Sequence, residues 1–324
     1  ELKRIEIATV AVREANLTIF DEPEAGIDLW SFQNLIKVFE QIKKVKPKQL
    51  FIIADGPREN VASDIEKCKK VRKIFDHIDW ECTVYKNFSD VNLGCSKRPY
   101  TGFNWVFEKV EQAIILEDDC LPSISFFKYC DELLEMYKND TRIMLISGTN
   151  QLGKWQRGKY SYHFSNFGGI WGWASWRRAW KYFDVEIDMW NDDTLKEMLK
   201  YKLNKLQYLD RKKIYDSLCN NSANTTAWDY QWGFARIVQS GLAISPSVNL
   251  ISNIGNGNDA THTKSDSLVI NLGKFEMEFP LVHVPYVIQD KEYDEKIYKK
   301  INGSWLNYLK SSLKKYLKKG KKNE

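Results

Sequence analysis

Three consecutive carboxylates follow a short apolar run, and they are the residues whose type and spacing most directly suggest chemistry. Residues 113–116 read Ala-Ile-Ile-Leu, which predicts a buried strand, and Glu117, Asp118 and Asp119 come directly after it. Burying three adjacent charges without partners would be costly, so we expect them in a crevice at the strand's carboxyl end, facing a cation. Hard oxygen ligands suit Mg²⁺ or Mn²⁺, which commonly carry substrate phosphates. An acidic turn after a strand fits the same residues.

A second polar group follows an earlier predicted strand. Residues 49–54 predict a buried strand that stops at Asp55-Gly-Pro-Arg58. An acid before a glycine at a strand's carboxyl end is where nucleotide-binding α/β proteins place a base or ribose contact. A plain β-turn fits this tetrapeptide equally well.

A third polar group is the loop at residues 90–98, which contains Asn92 and Arg98. It lies between a strand predicted at 80–85 and a helix predicted at 100–110. The alternation of strands and helices up to residue 147 predicts an α/β fold with a mostly parallel sheet flanked by helices. Ligands of such sheets gather outside the carboxyl ends of the strands, so we expect all three polar groups to converge there.

Two candidate residues lie further along the chain. Asp229 opens a helix predicted at 229–239, where a carboxylate is favoured by the helix dipole, and it could be a helix-start residue and nothing more. His262 lies in a glycine- and asparagine-rich loop at 253–264, whose composition suits a loop that closes over a ligand.

Tryptophans cluster in residues 168–180, at Trp171, Trp173, Trp176 and Trp180. Small residues between them allow the backbone to approach a neighbour closely. One interpretation is a surface on which a sugar stacks; the other is a hydrophobic joint lined by tryptophan.

Charge is concentrated at the carboxyl end. The net charge is +5, but residues 305–324 hold seven lysines and one glutamate, which leaves the rest of the chain nearly neutral. The body therefore offers little support for nucleic-acid binding. Apolar residues spaced through the lysines indicate a helix lying on an anionic membrane surface, although a solvated tail that partly docks on the body fits too.

The assembled motifs resemble a bacterial group of glycosyltransferases with the GT-A fold, which is distantly similar to the N-acetylglucosaminyltransferase I type. The resemblance covers roughly residues 45–265. The segments that carry it, in order, are Ile53-Ala-Asp-Gly-Pro-Arg58, Asp90-Val-Asn-Leu-Gly-Cys95 with Arg98, Ile114-Ile-Leu-Glu-Asp-Asp-Cys-Leu-Pro122, Trp171-Gly-Trp-Ala-Ser-Trp-Arg-Arg-Ala-Trp180, Trp228-Asp-Tyr-Gln-Trp232 and Asp259-Ala-Thr-His-Thr263.

This resemblance implies a role for each acid of the triplet and for its metal. Asp119 would bind the Mn²⁺ or Mg²⁺ that bridges the donor diphosphate, and His262 would be a second metal ligand. Asp118 would contact the donor ribose, and Glu117 the transferred sugar. Asp229 would be the catalytic base of an inverting reaction.

The nucleotide side follows from the same resemblance. Asp55 would hold the base of the donor, most simply a UDP-sugar, and Arg58, Asn92 and Arg98 would complete the nucleotide site. Residues 1–44 depart from the family pattern: a strand predicted at 5–12 is followed by a long acidic stretch, and 17–20 offers a second, shorter candidate. The first nucleotide-facing loop is therefore unassigned.

The leading hypothesis is a metal-dependent transfer of a sugar to an acceptor hydroxyl in bacterial surface glycan synthesis, with a glycan or lipid-linked acceptor. A sugar nucleotidyltransferase and a non-catalytic carbohydrate-binding protein are the alternatives. We expect a nucleotide-sugar-binding half at 1–147, an acceptor-side and lid region at 148–290 and a basic tail at 291–324. Six scattered cysteines and the lack of a long apolar run or signal pattern predict a cytoplasmic protein, peripheral on the membrane.

The tail hypothesis predicts that deleting residues 305–324 abolishes binding to vesicles that contain anionic lipid. Sedimentation with such vesicles measures this, and vesicles of neutral lipid are the control. Equal binding of the full and shortened chains would contradict the hypothesis.

Overall fold

The computed structural model describes the backbone of residues 4–7, 16–22, 29–220, 228–255 and 272–302, and the side chains within these ranges from residue 32 to 301. His262 and the basic tail at 305–324 lie outside the described residues, so the hypotheses about them stay predictions.

Strands and helices alternate along the described chain. The strands are β1 Arg4–Ile7, β2 Asn16–Glu22, β3 Gln49–Ala54, β4 Thr83–Phe88, β5 Gln112–Leu116, β6 Cys120–Pro122, β7 Ile143–Ser147, β8 Tyr162–Ser165, β9 Trp173–Trp176, β10 Leu242–Pro246 and β11 Ile251–Asn253. The helices are α1 Leu29–Val45, α2 Ala62–Lys73, α3 Gly94–Lys109, α4 Ile124–Met136, α5 Arg177–Trp180, α6 Asp193–Lys202, α7 Lys205–Cys219, α8 Asp229–Val238 and α9 Lys291–Asn302.

The fold is mixed α/β, with a central mixed sheet flanked by helices. The order across the described sheet is β4-β3-β2-β5-β9-β7-β10-β8, and β1 pairs with β2. Strands β4, β3, β2 and β5 are parallel, as are β7 and β10, but β9 is antiparallel to both of its neighbours. Strand β8 runs antiparallel to β10, and β1 to β2.

The prediction of a mostly parallel sheet is therefore wrong, because half of these pairings are antiparallel. Parallel neighbours need a long crossover, usually through a helix. The chain from β7 to β9 has no such helix among its described residues and makes an excursion through β8 instead. It then returns in the opposite direction between β5 and β7.

The two strand candidates in residues 1–44 differ from the sequence-based prediction in length and position. The segment predicted at 5–12 is represented by the four-residue strand β1, which pairs with the carboxyl-terminal half of β2. The shorter candidate at 17–20 lies inside β2, which is parallel to β3 on one side and to β5 on the other. The central strand of the parallel half is therefore β2.

The sheet is buried on both faces at its centre. All four residues from Ala113 to Leu116 are fully buried, and successive side chains of a strand point to opposite faces. Helix α3 contacts β2 and β5, and α4 contacts β5, β7 and β9. This explains why β5 is a continuous apolar run rather than an alternating one.

The tryptophan segment forms a hydrophobic joint. Trp173, Trp176 and Trp180 are buried, whereas Trp171 is only partly buried. The rings of Trp173 and Trp180 pack around Phe103 of α3, at centroid distances of 5.6 and 5.4 Å. Burial leaves no open ring face on these three tryptophans, which favours the joint over sugar stacking there.

A second, smaller core lies beneath α6, α7 and α8, and it includes Trp190, Leu199, Tyr215 and Phe234. Two of these helices have side-chain caps: the Asp192 carboxylate accepts from two backbone N–H groups at the start of α6, and Asn204 and Gln207 form a capping box at the start of α7.

Within the described ranges, no helix has both the length and the apolar character needed to cross a membrane. All six cysteines are described, and each is a free thiol, as the scattered spacing predicted.

His163 makes stability depend on pH. It lies in β8 with 5% of its surface exposed, its ring 4.0 Å from that of Tyr293 in α9. Burial lowers its pKa to about 4; Asp290 opposes this and Arg157 adds to it. In the unfolded chain a histidine has a pKa of about 6.5, so the unfolded state takes up a proton first as pH falls.

We therefore expect unfolding free energy to fall as pH decreases from about 6.5 to 4, by roughly 3 kcal/mol from this group. His163→Asn should flatten the pH dependence in that window, and the exposed His77→Asn should not. Urea unfolding at several pH values measures both. Parallel curves for wild type and His163→Asn would contradict the assignment.

Candidate active site

The acidic triplet lies at the carboxyl end of β5, in the turn that leads to β6. The Cys120 N–H donates to the Glu117 carbonyl at 3.1 Å, which closes this turn. Glu117, Asp118 and Asp119 are only 1%, 2% and 4% exposed. The three acids thus lie at the carboxyl end of the strand, as the sequence predicted, and they are buried there. Their contact with a cation stays a prediction.

The two-stranded pair β6–β11 places Ile254 and Gly255 against the triplet. Cys120 pairs with Asn253, and the Ile254 N–H donates to the Asp119 carbonyl at 2.7 Å. A Cβ on Gly255 would lie 2.1 Å from Asp119 Oδ2, so only a glycine fits here without displacement. The segment that continues to His262 therefore departs directly beside Asp119.

The donor atoms fit a small divalent cation. One ligand atom each from Glu117, Asp119 and Cys120 lie within 4.8 Å of one another. Two carboxylates suit Mn²⁺ or Mg²⁺, whereas a thiol is a softer ligand. The Cys120 Sγ donates to Asp119 Oδ1 at 3.4 Å. Cys120 was not among the predicted residues; its place directly after the acids was the available signal.

Asp55 connects the end of β3 to the start of α3. Its carboxylate accepts from the backbone N–H groups of Leu93 and Gly94 at 2.8–2.9 Å, and from its own neighbour Gly56 at 2.8 Å. Burial raises the pKa of Asp55, while these three N–H groups and Arg98 oppose the rise. The carboxylate thus fixes α3, and its contact with a base stays a prediction.

The loop at 90–94 and the Asp55–Gly56 turn form one unit. A Cβ on Gly56 would lie 2.4 Å from the backbone of Val91, and the Gly56 N–H donates to the Val91 carbonyl at 3.2 Å. Asn92 Nδ2 donates to the Gly56 carbonyl at 3.3 Å. The predicted convergence of Asp55 and Asn92 at the ends of neighbouring strands is therefore observed.

Both predicted arginines are engaged by the protein. Arg58 pairs with the buried Asp64 of α2 at 2.7 Å. Arg98, 3% exposed in α3, donates to Asn87 Oδ1 at 2.9 Å and to the Asn87 carbonyl. These contacts shape the edge of the site, and a contact of either arginine with a nucleotide stays a prediction.

Sequence reasoning missed Arg72, which bridges the β3 and β4 ends. Its guanidinium donates to the carbonyls of Asp55 at 3.0 Å and Ser89 at 2.6 Å. Nothing in the spacing of these residues indicates the contact, because it depends on α2 packing beside the sheet edge.

Asp229 is the first residue of α8, as predicted, and the aromatic joint positions it. The preceding Trp228 is buried, with its ring 5.8 Å from that of Trp173 and 5.1 Å from that of Phe103. Trp173 lies opposite Ile115, two residues before the acidic triplet. The start of α8 is therefore held beside the carboxyl end of β5.

No family model matches the chain. One curated protein, an uncharacterized ABC transporter ATP-binding protein of Methanocaldococcus jannaschii, is 39% identical over 67 residues. The match covers 21% of this chain and 26% of that protein. A similarity of this extent does not show a family.

The geometry predicts that Asp55 is needed for folding. Asp55→Asn presents an amide N–H₂ to backbone N–H donors, so hydrogen bonds are lost in a buried position and stability should fall by about 2–4 kcal/mol. Urea unfolding without ligand measures this. The exposed Asp76→Asn, which removes only a surface ion pair with Lys86, should leave stability nearly unchanged. Equal stability of Asp55→Asn and wild type would assign Asp55 to ligand binding alone.

Proposed function

We propose that this protein is a metal-dependent glycosyltransferase of GT-A type that transfers a sugar from a nucleotide-diphosphate donor to an acceptor hydroxyl. The observation that carries the proposal is the buried carboxylate triplet at the end of β5, against which β6–β11 holds Ile254 and Gly255. The sequence motifs that resemble GT-A enzymes support the same assignment.

The strand order supports a nucleotide site at this edge. The chain runs outward from β2 through β3 to β4, and then returns to place β5 on the other side of β2. Such a reversal creates a crevice at the carboxyl ends, where open α/β sheets bind ligands. The triplet follows β5 at this reversal, and Asp55 and Asn92 follow β3 and β4.

The residues divide into a donor side and an acceptor side. Asp55, Asn92, Arg58 and Arg98 line or shape the predicted nucleotide end, and Asp118 and Glu117 face the donor ribose and the transferred sugar. Asp119, with His262, would hold Mn²⁺ or Mg²⁺. Such an ion, when bound, stabilises the charge that develops on the leaving diphosphate.

The proposed reaction is a direct displacement. The acceptor oxygen forms a bond to the anomeric carbon while the bond from that carbon to the diphosphate oxygen breaks. The electron pair leaves with the nucleoside diphosphate, and the acceptor proton passes to the Asp229 carboxylate. A single displacement inverts the anomeric configuration. A positioned carboxylate base of this kind contributes about 10²–10⁴ in rate.

The donor is proposed to be a UDP-sugar and the acceptor a glycan or lipid-linked glycan of the bacterial surface. A lipid-linked acceptor would be reached from the inner face of the cytoplasmic membrane, with the basic tail on the anionic surface. These assignments rest on the family resemblance and on the charge of the tail.

The proposal predicts that a UDP-sugar and Mn²⁺ together raise the melting temperature of wild type, since a ligand that binds the native state stabilises it. Asp119→Asn should lose the Mn²⁺-dependent part of the rise. Asp229→Asn should keep the rise but lower donor turnover by about 100-fold or more. Thermal unfolding and nucleoside-diphosphate release over a panel of nucleotide sugars measure the two effects.

A matched pair of glycine substitutions tests whether the close approach of Gly255 to Asp119 matters for metal binding. Gly255→Ala should weaken the Mn²⁺ response because its Cβ meets Asp119, whereas a Cβ on Gly273 meets no described atom within 4 Å, so Gly273→Ala should behave as wild type. If wild type and Asp119→Asn were equally silent toward every donor but bound glycans, the carbohydrate-binding alternative would replace the proposal.

A further inference from the structure

Arg236 of α8 is a buried guanidinium outside the proposed metal and nucleotide sites. The side chain is 5% exposed, and its Nε and Nη1 atoms are buried with no hydrogen-bond partner among the described residues. Burial of a charged group without hydrogen bonds is costly. An arginine presents its N–H groups in a planar fork that matches a carboxylate or phosphate.

A second guanidinium approaches the same part of α8. Arg211 of α7 reaches over the helix where Gly233 leaves room: a Cβ on Gly233 would meet Arg211 Nη1 at 3.8 Å and no other described atom within 4 Å. Arg211 also lies over the Phe167 ring at 5.8 Å. The space beside Gly233 is thus flanked by positive charge.

The two arginines repel each other. Burial, and after it the charge of Arg211, lower the pKa of Arg236 to about 10, although Tyr215 and Asp294 oppose the fall. The acidic group in range is Asp294 of α9, whose carboxylate already accepts from Ser165 Oγ, the Asn166 N–H and Gln289 Nε2. The carboxylate in range of Arg236 is therefore already bound by other donors.

The loop after β8 approaches the guanidinium of Arg236 at Gly168. A Cβ on Gly168 would lie 3.6 Å from Arg236 Nη1. The buried Tyr215 of α7 is close enough for both arginines to oppose the rise in its pKa that burial causes. The region thus holds two guanidiniums and the Tyr215 phenol, with Gly168 of the loop close to Arg236.

We propose that Arg211 and Arg236 form a binding site for an oxyanion, a carboxylate or phosphate group, between α7 and α8. The anion would supply the acceptor atoms that Arg236 Nε and Nη1 lack among the described residues and would offset the repulsion between the two guanidiniums. Nothing in this site depends on the acidic triplet.

The position of Arg236 on α8 suggests which molecule carries the anionic group. Arg236 follows Asp229 by seven residues, almost two helical turns, which is about 10 Å along one face. An acceptor whose hydroxyl lies at Asp229 could place an acidic substituent at Arg236. This assignment to the acceptor rests on the proposed function, whereas the binding of the anion does not.

Thermal unfolding in the presence of inorganic phosphate or acetate tests the site. Chloride keeps the ionic strength constant, and EDTA is present throughout. We expect at least one of the two anions to raise the melting temperature of wild type above the chloride baseline. A response to acetate alone would identify a carboxylate site and a response to phosphate a phosphate site. No response to either would overturn the proposal.

Variants separate binding from structure. Arg211→Gln and Arg236→Met should each weaken the anion response about tenfold or more, because a charge-assisted contact is lost. The exposed Arg142→Gln is the matched control and should respond as wild type. In chloride, Arg236→Met should melt no lower than wild type, since an apolar side chain replaces a buried charge. A lower melting temperature with an unchanged anion response would assign Arg236 a structural role and overturn the proposal.

Asp119→Asn distinguishes the two sites. It should keep the full phosphate or acetate response, and loss of that response would move the anion to the metal site and overturn the proposal. If wild type hydrolyses no donor but the arginine-dependent response is present, the glycosyltransferase proposal fails while the anion site stands.

Discussion

The placement of three adjacent carboxylates at the end of a buried strand is the constraint on which the rest of this structure depends. Glu117, Asp118 and Asp119 are almost fully buried, and like charges at such spacing destabilise one another in a desolvated place. In the proposed function, a bound divalent cation would reduce that cost. The surrounding elements must therefore hold the three acids rigidly.

Close backbone packing provides that rigidity. Gly172 has a φ of +64°, and a Cβ there would lie 2.5 Å from Ile251 and 3.1 Å from Leu116. Its carbonyl accepts from the Gly148 N–H at 2.7 Å. The starts of β9 and β11 and the end of β7 are thus pressed around the last residue of β5. A larger residue at Gly172 would be excluded by space and by backbone conformation together.

Local sequence patterns predicted the helices and strands that have a clear hydrophobic pattern. They did not predict strand positions that depend on pairing between distant parts of the chain. Helices α1, α4 and α8 and strands β3, β5 and β7 have clear periodicity or apolar runs. Strand β9 reads Trp-Ala-Ser-Trp, which contains no signal for its antiparallel insertion between β5 and β7. Strand β2 is flanked by acids, and only its partners identify it as central.

The candidate site divides in the same way. The triplet, Asp55 and Asp229 were visible because each adjoins a predictable strand or helix end. The sequence did not reveal that the Asp55 carboxylate accepts hydrogen bonds from N–H groups 38 and 39 positions later, because these bonds depend on the packing of α3. Arg211 and Arg236, on different helices, likewise meet only in the folded chain.

The aromatic joint links these parts mechanically. Trp228 and Trp232 of α8 pack on Trp173 of β9, at ring distances of 5.8 and 6.1 Å. Strand β9 in turn pairs with β5, so α8 is registered to the strand that ends in the triplet. Because Asp229 and Arg236 lie on this one helix, the same tryptophans fix the distance of both from the acids. The sequence allowed either sugar stacking or packing as the role of these tryptophans, and in the structure they pack. Through this packing they set the position of Asp229, on which its proposed role as a base would depend.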